Sequence, residues 1–201
     1  MKVRTPARRE AILEAARKVF LEIGYERASM SEIARRVGGS KATLYSYFPC
    51  KATLFVAAAH AEGRRVLEAS TRELEHSAAE DLHAALLSLG TDLVGFLSSA
   101  KTVAAHRMIL AEAGRSDIGH AFYEQGPLIG ITRLADTLHA AMRRGELREA
   151  DPLVAAHHLH SLLSAELQPM WYEQTVPALP PDRCKAIAQN AVDVFMRGYR
   201  A

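Results

Sequence analysis

Residues 29–54 read SMSEIARRVGGSKATLYSYFPCKATL, and the organisation of the chain follows from this stretch. Ser29, with Glu32 three residues on, forms a capping box: the serine hydroxyl accepts from the Glu32 amide while the glutamate reaches back. The short helix it opens has an inner face of Ile33, Ala34 and Val37. Gly38-Gly39 ends that helix sharply. Ser40 caps a third helix, Lys41 to about Tyr47, which closes at Phe48-Pro49. Leu44 and Phe48, four apart, anchor it inward, which leaves Lys41, Ala42, Thr43 and Ser46, all small or polar, on its outer positions. Helix, tight glycine turn and short helix make a helix-turn-helix, whose second helix enters the major groove while the first crosses the backbone.

The neighbouring segments continue in helices. A first helix starts at Thr5-Pro6, with Thr5 as cap, and repeats Ile12, Leu13, Ala16, Val19, Phe20 and Ile23 at helical spacing. Gly24 is its natural stop, because glycine adopts the left-handed conformation. A long helix begins near Cys50-Lys51 and runs to about Glu75, roughly 36 Å at 1.5 Å per residue. Further helices are expected over 80–98, 101–114, 117–125, 127–144, 152–174 and 181–199, with breaks at Gly114, Gly126-Pro127, Gly145 and 176–181. The expected fold is all-α: a three-helix helix-turn-helix head over 1–50, then an antiparallel helical body over 51–201, to which the resemblance given below assigns ligand binding and dimerisation. One continuous helix crosses the boundary, so the two parts should move as coupled bodies.

Composition narrows the class. The 201 residues are 49% hydrophobic and 24% charged, which excludes a disordered chain. No apolar run approaches the roughly 18 residues of a membrane span, and no hydrophobic leader follows the basic start. Two distant cysteines, Cys50 and Cys184, exclude a disulfide scaffold, so the expected compartment is the cytoplasm. The net charge is only +2, but residues 1–52 carry eleven Lys and Arg against five Glu, a local +6, and the remainder is −4. A basic head on a mildly acidic body suits a polyanionic partner. Tyr45 and Tyr47 add hydroxyls within reach of phosphate oxygens, and Lys51 brings an ammonium to a helix start whose amides also favour an anion.

The quoted stretch, above all its T-L-Y-x-Y-F-x-x-K order, resembles the DNA-binding signature of TetR-family transcriptional regulators, and the likeness covers roughly residues 9–56. The resemblance implies a homodimer that represses transcription and leaves its double-stranded operator when a small-molecule inducer binds the C-terminal domain. By position, Thr43, Tyr45, Tyr47 and Lys51 match the family's phosphate contacts. Ser31, Lys41 and Ala42 match positions that face base edges, and Ser29 matches the capping and backbone-contact position. Two departures stand out: Gly39 replaces a residue that is often hydrophobic, and Ala42 one that is often glycine.

In the body, two segments carry broad apolar stripes: Leu153, Val154, Leu159, Leu162, Leu163 and Leu167, and then Ile187, Ala188, Ala191, Val192, Phe195, Met196 and Tyr199. They serve as core or, as the resemblance implies, as a four-helix dimer interface. Two heads must reach adjacent turns of DNA about 34 Å apart, so dimerisation is expected. Phe96, Met108, Phe122, Tyr123, Met142, Met170, Trp171 and Tyr172 are candidates for an apolar pocket, with packed core as the alternative for each. Residues 112–127, EAGRSDIGHAFYEQGP, with the helix ending near Arg143-Arg144-Gly145, resemble the body of the AefR-like subgroup.

His157, His158 and His160 lack a carboxylate or cysteine to complete a metal set, so no metal and no cofactor is expected. Cys50, at a cap beside Lys51, is either a low-pKa thiol at the DNA surface or a stand-in for a capping serine. The chain carries no serine-hydrolase elbow, phosphate loop, dinucleotide fingerprint or His-Glu-x-x-His motif. An all-helical enzyme and a non-specific architectural DNA-binding protein are the alternatives to a regulator.

Overall fold

A computed structural model describes residues 5–201, apart from the side chains of residue 62 and of residues 64–67. Lys2 and Arg4, counted in the basic head, lie outside the described residues. Ten α-helices and one short 3-10 turn form the described chain: α1 Pro6–Arg27, α2 Met30–Val37, α3 Lys41–Tyr47, α4 Lys51–Ser77, α5 Leu82–Leu97, α6 Ala100–Ala113, α7 Ile118–Gln125, α8 Pro127–Arg143, α9 Pro152–Ala165 and α10 Pro181–Tyr199. The 3-10 turn is Gln168–Trp171. The all-α expectation holds, and most helix ends fall within two residues of those read from the sequence.

One expected helix is shorter. The segment read as 152–174 stops at Ala165, and Leu167 leads into the 3-10 turn. Pro169 is the cause, since its ring would clash with the carbonyl four residues back and it has no N–H to continue the ladder. Gly24 kinks α1 rather than ending it: its φ is positive at 77°, but its ψ of 166° is not that of the left-handed helical conformation, and one further turn reaches Arg27.

The chain packs as two compact units. One comprises the residues up to Gly63 together with Ala104–Phe122, and the other Arg64–Val103 with Tyr123–Ala201. Helices α4, α6 and α7 contribute to both. The core of the first unit gathers Ile12, Leu13, Val19 and Phe20 of α1, Ile33 and Ala34 of α2, Leu44 of α3, Phe48, and Leu54 and Phe55 of α4, with Ile109 and Ile118. Phe20 meets Phe55 edge-on at 4.8 Å, and Tyr25 lies 4.9 Å from Phe55. Such aromatic pairs add about 0.5–1.5 kcal/mol each beyond their buried area.

In the second unit α5 packs on α10 and α9, and α8 on α9. Gly90 makes the close approach possible, since a Cβ there would stand 2.9 Å from Leu163 Cδ2 and 3.3 Å from Ala188 Cβ. The apolar stripes of the last two long helices turn mostly inward. Leu159, Leu163, Leu167, Ile187, Ala188, Ala191, Val192, Phe195 and Tyr199 are buried in this core. Leu153 and Val154 of the first stripe instead face outward, at 42% and 45% exposure, as does Val194, outside the second stripe, at 52%. Among the described residues no single helix is long and apolar enough to cross a membrane.

Candidate nucleic-acid interface

The helix-turn-helix is built by local hydrogen bonds. Ser29 Oγ accepts from the Glu32 amide at 3.2 Å and opens α2. The return half of the capping box does not form as expected, because the Glu32 carboxylate is drawn to Arg35 and Arg36 one turn on. Those two guanidiniums, Arg35 first, pull the Glu32 carboxyl from 4.5 down to about 2. Gly38 caps α2 in the left-handed conformation, with φ 69° and ψ 48°. Ser40 Oγ then accepts from the Thr43 amide at 3.1 Å and starts α3.

Leu44 and Phe48 hold α3 against the core at 2% and 3% exposure, with the Arg9 guanidinium 5.4 Å from the Phe48 ring centre. The opposite face is open. Lys41, Ala42, Tyr45 and Ser46 are exposed, Thr43 is half-buried, and Ser29 and Ser31 are exposed at the start of α2. Lys41 takes part in no ion pair among the described residues. By contrast Arg17, Lys18, Arg35 and Arg36 pair with Glu14, Glu22 and Glu32. The charge of the head is therefore partly neutralised internally and left unpaired on the polar face of α3.

Two side chains point elsewhere than expected. The Lys51 ammonium donates to the carbonyls of Tyr25, Glu26 and Ala28 at 2.8, 3.2 and 3.2 Å, and lies 4.2 Å from the Tyr25 ring centre. Its three donors serve the carbonyls at the end of α1, so the side chain is a strut between α1 and α4. Tyr47 is half-buried, and its hydroxyl accepts from the Thr5 amide at 2.8 Å. Neither use was visible in the local sequence, because each partner lies more than 20 residues away. Arg8 escaped the sequence reading for the same reason: its guanidinium donates to the Val37 and Gly38 carbonyls at 3.2 and 3.3 Å.

Cys50 is exposed at the start of α4, and Cys184 is buried. Hydrogen bonding from the Thr53 hydroxyl, 3.2 Å away, and from the Thr53 and Ala52 amides holds the Cys50 thiol below its ordinary pKa. The helix start acts as the sequence suggested; Lys51 does not contribute, since its ammonium is turned toward α1. In the body, Met108 and Phe122 join the core of the first unit, where Phe122 stacks on His60 at 4.4 Å. Met142 and Met170 join the core of the second unit, Phe96 and Trp171 are half-buried, and Tyr123 and Tyr172 are exposed, Tyr172 by 86%. The eight pocket candidates are thus shared between the two units. His158 pairs with the Tyr199 hydroxyl at 2.6 Å.

With this geometry in hand, comparison with known proteins identifies the class. Residues 12–58 match the family model of bacterial regulatory proteins of the tetR family, and residues 84–201 match the C-terminal domain of AefR-like transcriptional repressors. The chain belongs to the TetR family of bacterial DNA-binding transcriptional regulators, with an AefR-like C-terminal domain; this is a family of regulators and not of enzymes. It is similar throughout its length to the crystal structure of a TetR-family regulator from Mesorhizobium loti, with 26% identity, a TM-score of 0.84 and full coverage of both chains. It is also similar to the flavonoid-responsive regulator FrrA, at 29% identity, a TM-score of 0.72 and 98% coverage of each chain. The HTH-type transcriptional repressor Rv1474c of Mycobacterium tuberculosis is 34% identical over 67 residues, which are 33% of this chain and 36% of that protein. The chain spans about a third of the length of such curated relatives.

Proposed function

We propose that this chain is a homodimeric repressor that holds a specific operator and leaves it when a small molecule binds its C-terminal part. The observation that carries this reading is the polar, unpaired face of α3, presented outward by two buried anchors. Lys41, Ala42 and Ser31 face base edges, and Thr43, Tyr45, Ser46 and Ser29 meet the phosphates flanking them. Tyr47 and Lys51 act mainly by position, through the Thr5 contact and the α1 strut, while the Lys51 backbone N–H offers a helix-start donor to phosphate. The head spans residues 1–50 and the body 51–201.

The repressing activity and the release by ligand come from the family, with Rv1474c named a repressor and FrrA responsive to flavonoids. An aromatic, sparingly soluble compound is therefore the first class of inducer to test, with Met and aromatic side chains of the body as its lining. Leu153, Val154 and Val194 are the outward apolar residues of α9 and α10 and form the centre of the dimer contact. Operator DNA places the protein in the cytoplasm. Footprinting on the DNA upstream of its own gene tests the reading. A protected stretch that flavonoid-like compounds release is expected; binding without sequence preference would make it an architectural protein, and no binding at all would remove the DNA role.

A further inference from the structure

The two glycines of the turn are glycine for different reasons. Gly38 has a φ of +69°, a conformation L side chains rarely take, and a Cβ there would meet nothing within 4 Å. Gly39 has an ordinary backbone, since positive φ among the described residues occurs only at Gly24, Gly38 and Gly145. At Gly39 the occupant is a flexible side chain: a Cβ there would stand 2.5 Å from Arg8 Nη2 and would displace the guanidinium. The Arg8 fork bridges the Val37 and Gly38 carbonyls at the end of α2, where unsatisfied acceptors and the helix dipole both favour a cation. Beneath it lies a small notch of about 10 Å³, partly open to solvent, between Ile12, Ala34, Val37, Thr43 and Leu44.

We propose that Arg8 and Gly39 are an exchangeable pair that fixes the angle between α2 and the DNA-reading helix α3, the guanidinium occupying the place that a side chain at position 39 would fill. Arg8 is a positioning residue and touches no DNA. The inference rests on the proposed role of α3 but makes a prediction that does not need DNA. Either an arginine over a bare glycine, or an aliphatic residue in the notch with the arginine gone, seats the turn; having both, or neither, does not.

The full-length protein and its Arg8→Ala, Gly39→Val, double and Arg8→Lys variants test this in two ways: operator affinity across a salt series, and amide hydrogen exchange over Ser40–Tyr47. Each single change should weaken operator binding about tenfold and leave the log–log salt slope unchanged, and the double variant should recover to within about threefold of the parent. Exchange in α3 should rise about tenfold in each single variant and fall back in the double, while α9 and α10 stay protected as in the parent. Arg8→Lys keeps charge and stem without the fork, so it folds and remains weakened at least about threefold. A salt slope smaller by about one in Arg8→Ala would place the guanidinium on a phosphate and overturn the proposal. Losses that multiply in the double variant, unchanged α3 exchange in Arg8→Ala, or full activity in Arg8→Lys would overturn it as well. If the parent bound no DNA, the functional reading would fall and the exchange series would still decide the pair.

Discussion

Lys51 and Glu32 show how far single residues depart from what their local sequence suggests. Both sit at helix starts, and both read as simple electrostatic devices. In the structure each is claimed by a neighbour: Glu32 by Arg35 and Arg36, and Lys51 by three carbonyls at the end of α1. Lys51→Met should therefore destabilise the protein by about 1.5–3 kcal/mol in urea unfolding, the usual worth of a hydrogen bond to a charged group. It should leave the salt slope of DNA binding intact, whereas loss of a phosphate contact would lower the slope by about one. For Glu32 the folded pKa lies below the unfolded one, so its ion pairs stabilise the fold at pH above about 4.5. That contribution fades as the pH falls from there toward 2. Carbon-detected titration of the Glu32 carboxyl should give a midpoint near 2; one near 4.5 would break the assignment.

Element boundaries were readable because caps and glycines are local chemistry. Thr5, Ser29 and Ser40 cap as their side chains dictate, and α3 and α10 end where the sequence says. The direction of a helix face is less local. The stripes of α9 and α10 suit core and interface equally by pattern, and only the packing of α5 on α10 and of α8 and α10 on α9 shows that most of each stripe is core. Glycines inside helices give the matching experiment. Gly90→Val should overpack the meeting of α5 with α9 and α10 and lower stability by about 1–3 kcal/mol. Gly130→Ala, on the exposed side of α8 with open space around its Cβ, should raise it by about 0.5–1 kcal/mol. Thermal melts of the two variants should move in opposite directions.

At the scale of the whole molecule, charge distribution decides the solution behaviour. The formal +6 of residues 1–52 overstates what meets DNA, because several arginines are paired with glutamates on α1 and α2. Operator affinity should still fall steeply with salt, with a log–log slope of several units for the dimer, and a slope near zero would contradict phosphate-led binding. The family and the reading helix were legible because a short contiguous motif carries them. The Arg8, Thr5 and Lys51 contacts were not, because each joins residues 20 or more positions apart in the chain. One such arrangement is also a practical gift: of the two thiols, Cys184 is shielded at 5% exposure while Cys50 stands in the open just past α3. A maleimide fluorophore or spin label will therefore attach to the unaltered protein at a single place. In a two-copy assembly, the separation of those labels becomes a ruler that reads the spacing of the recognition helices as effectors are added.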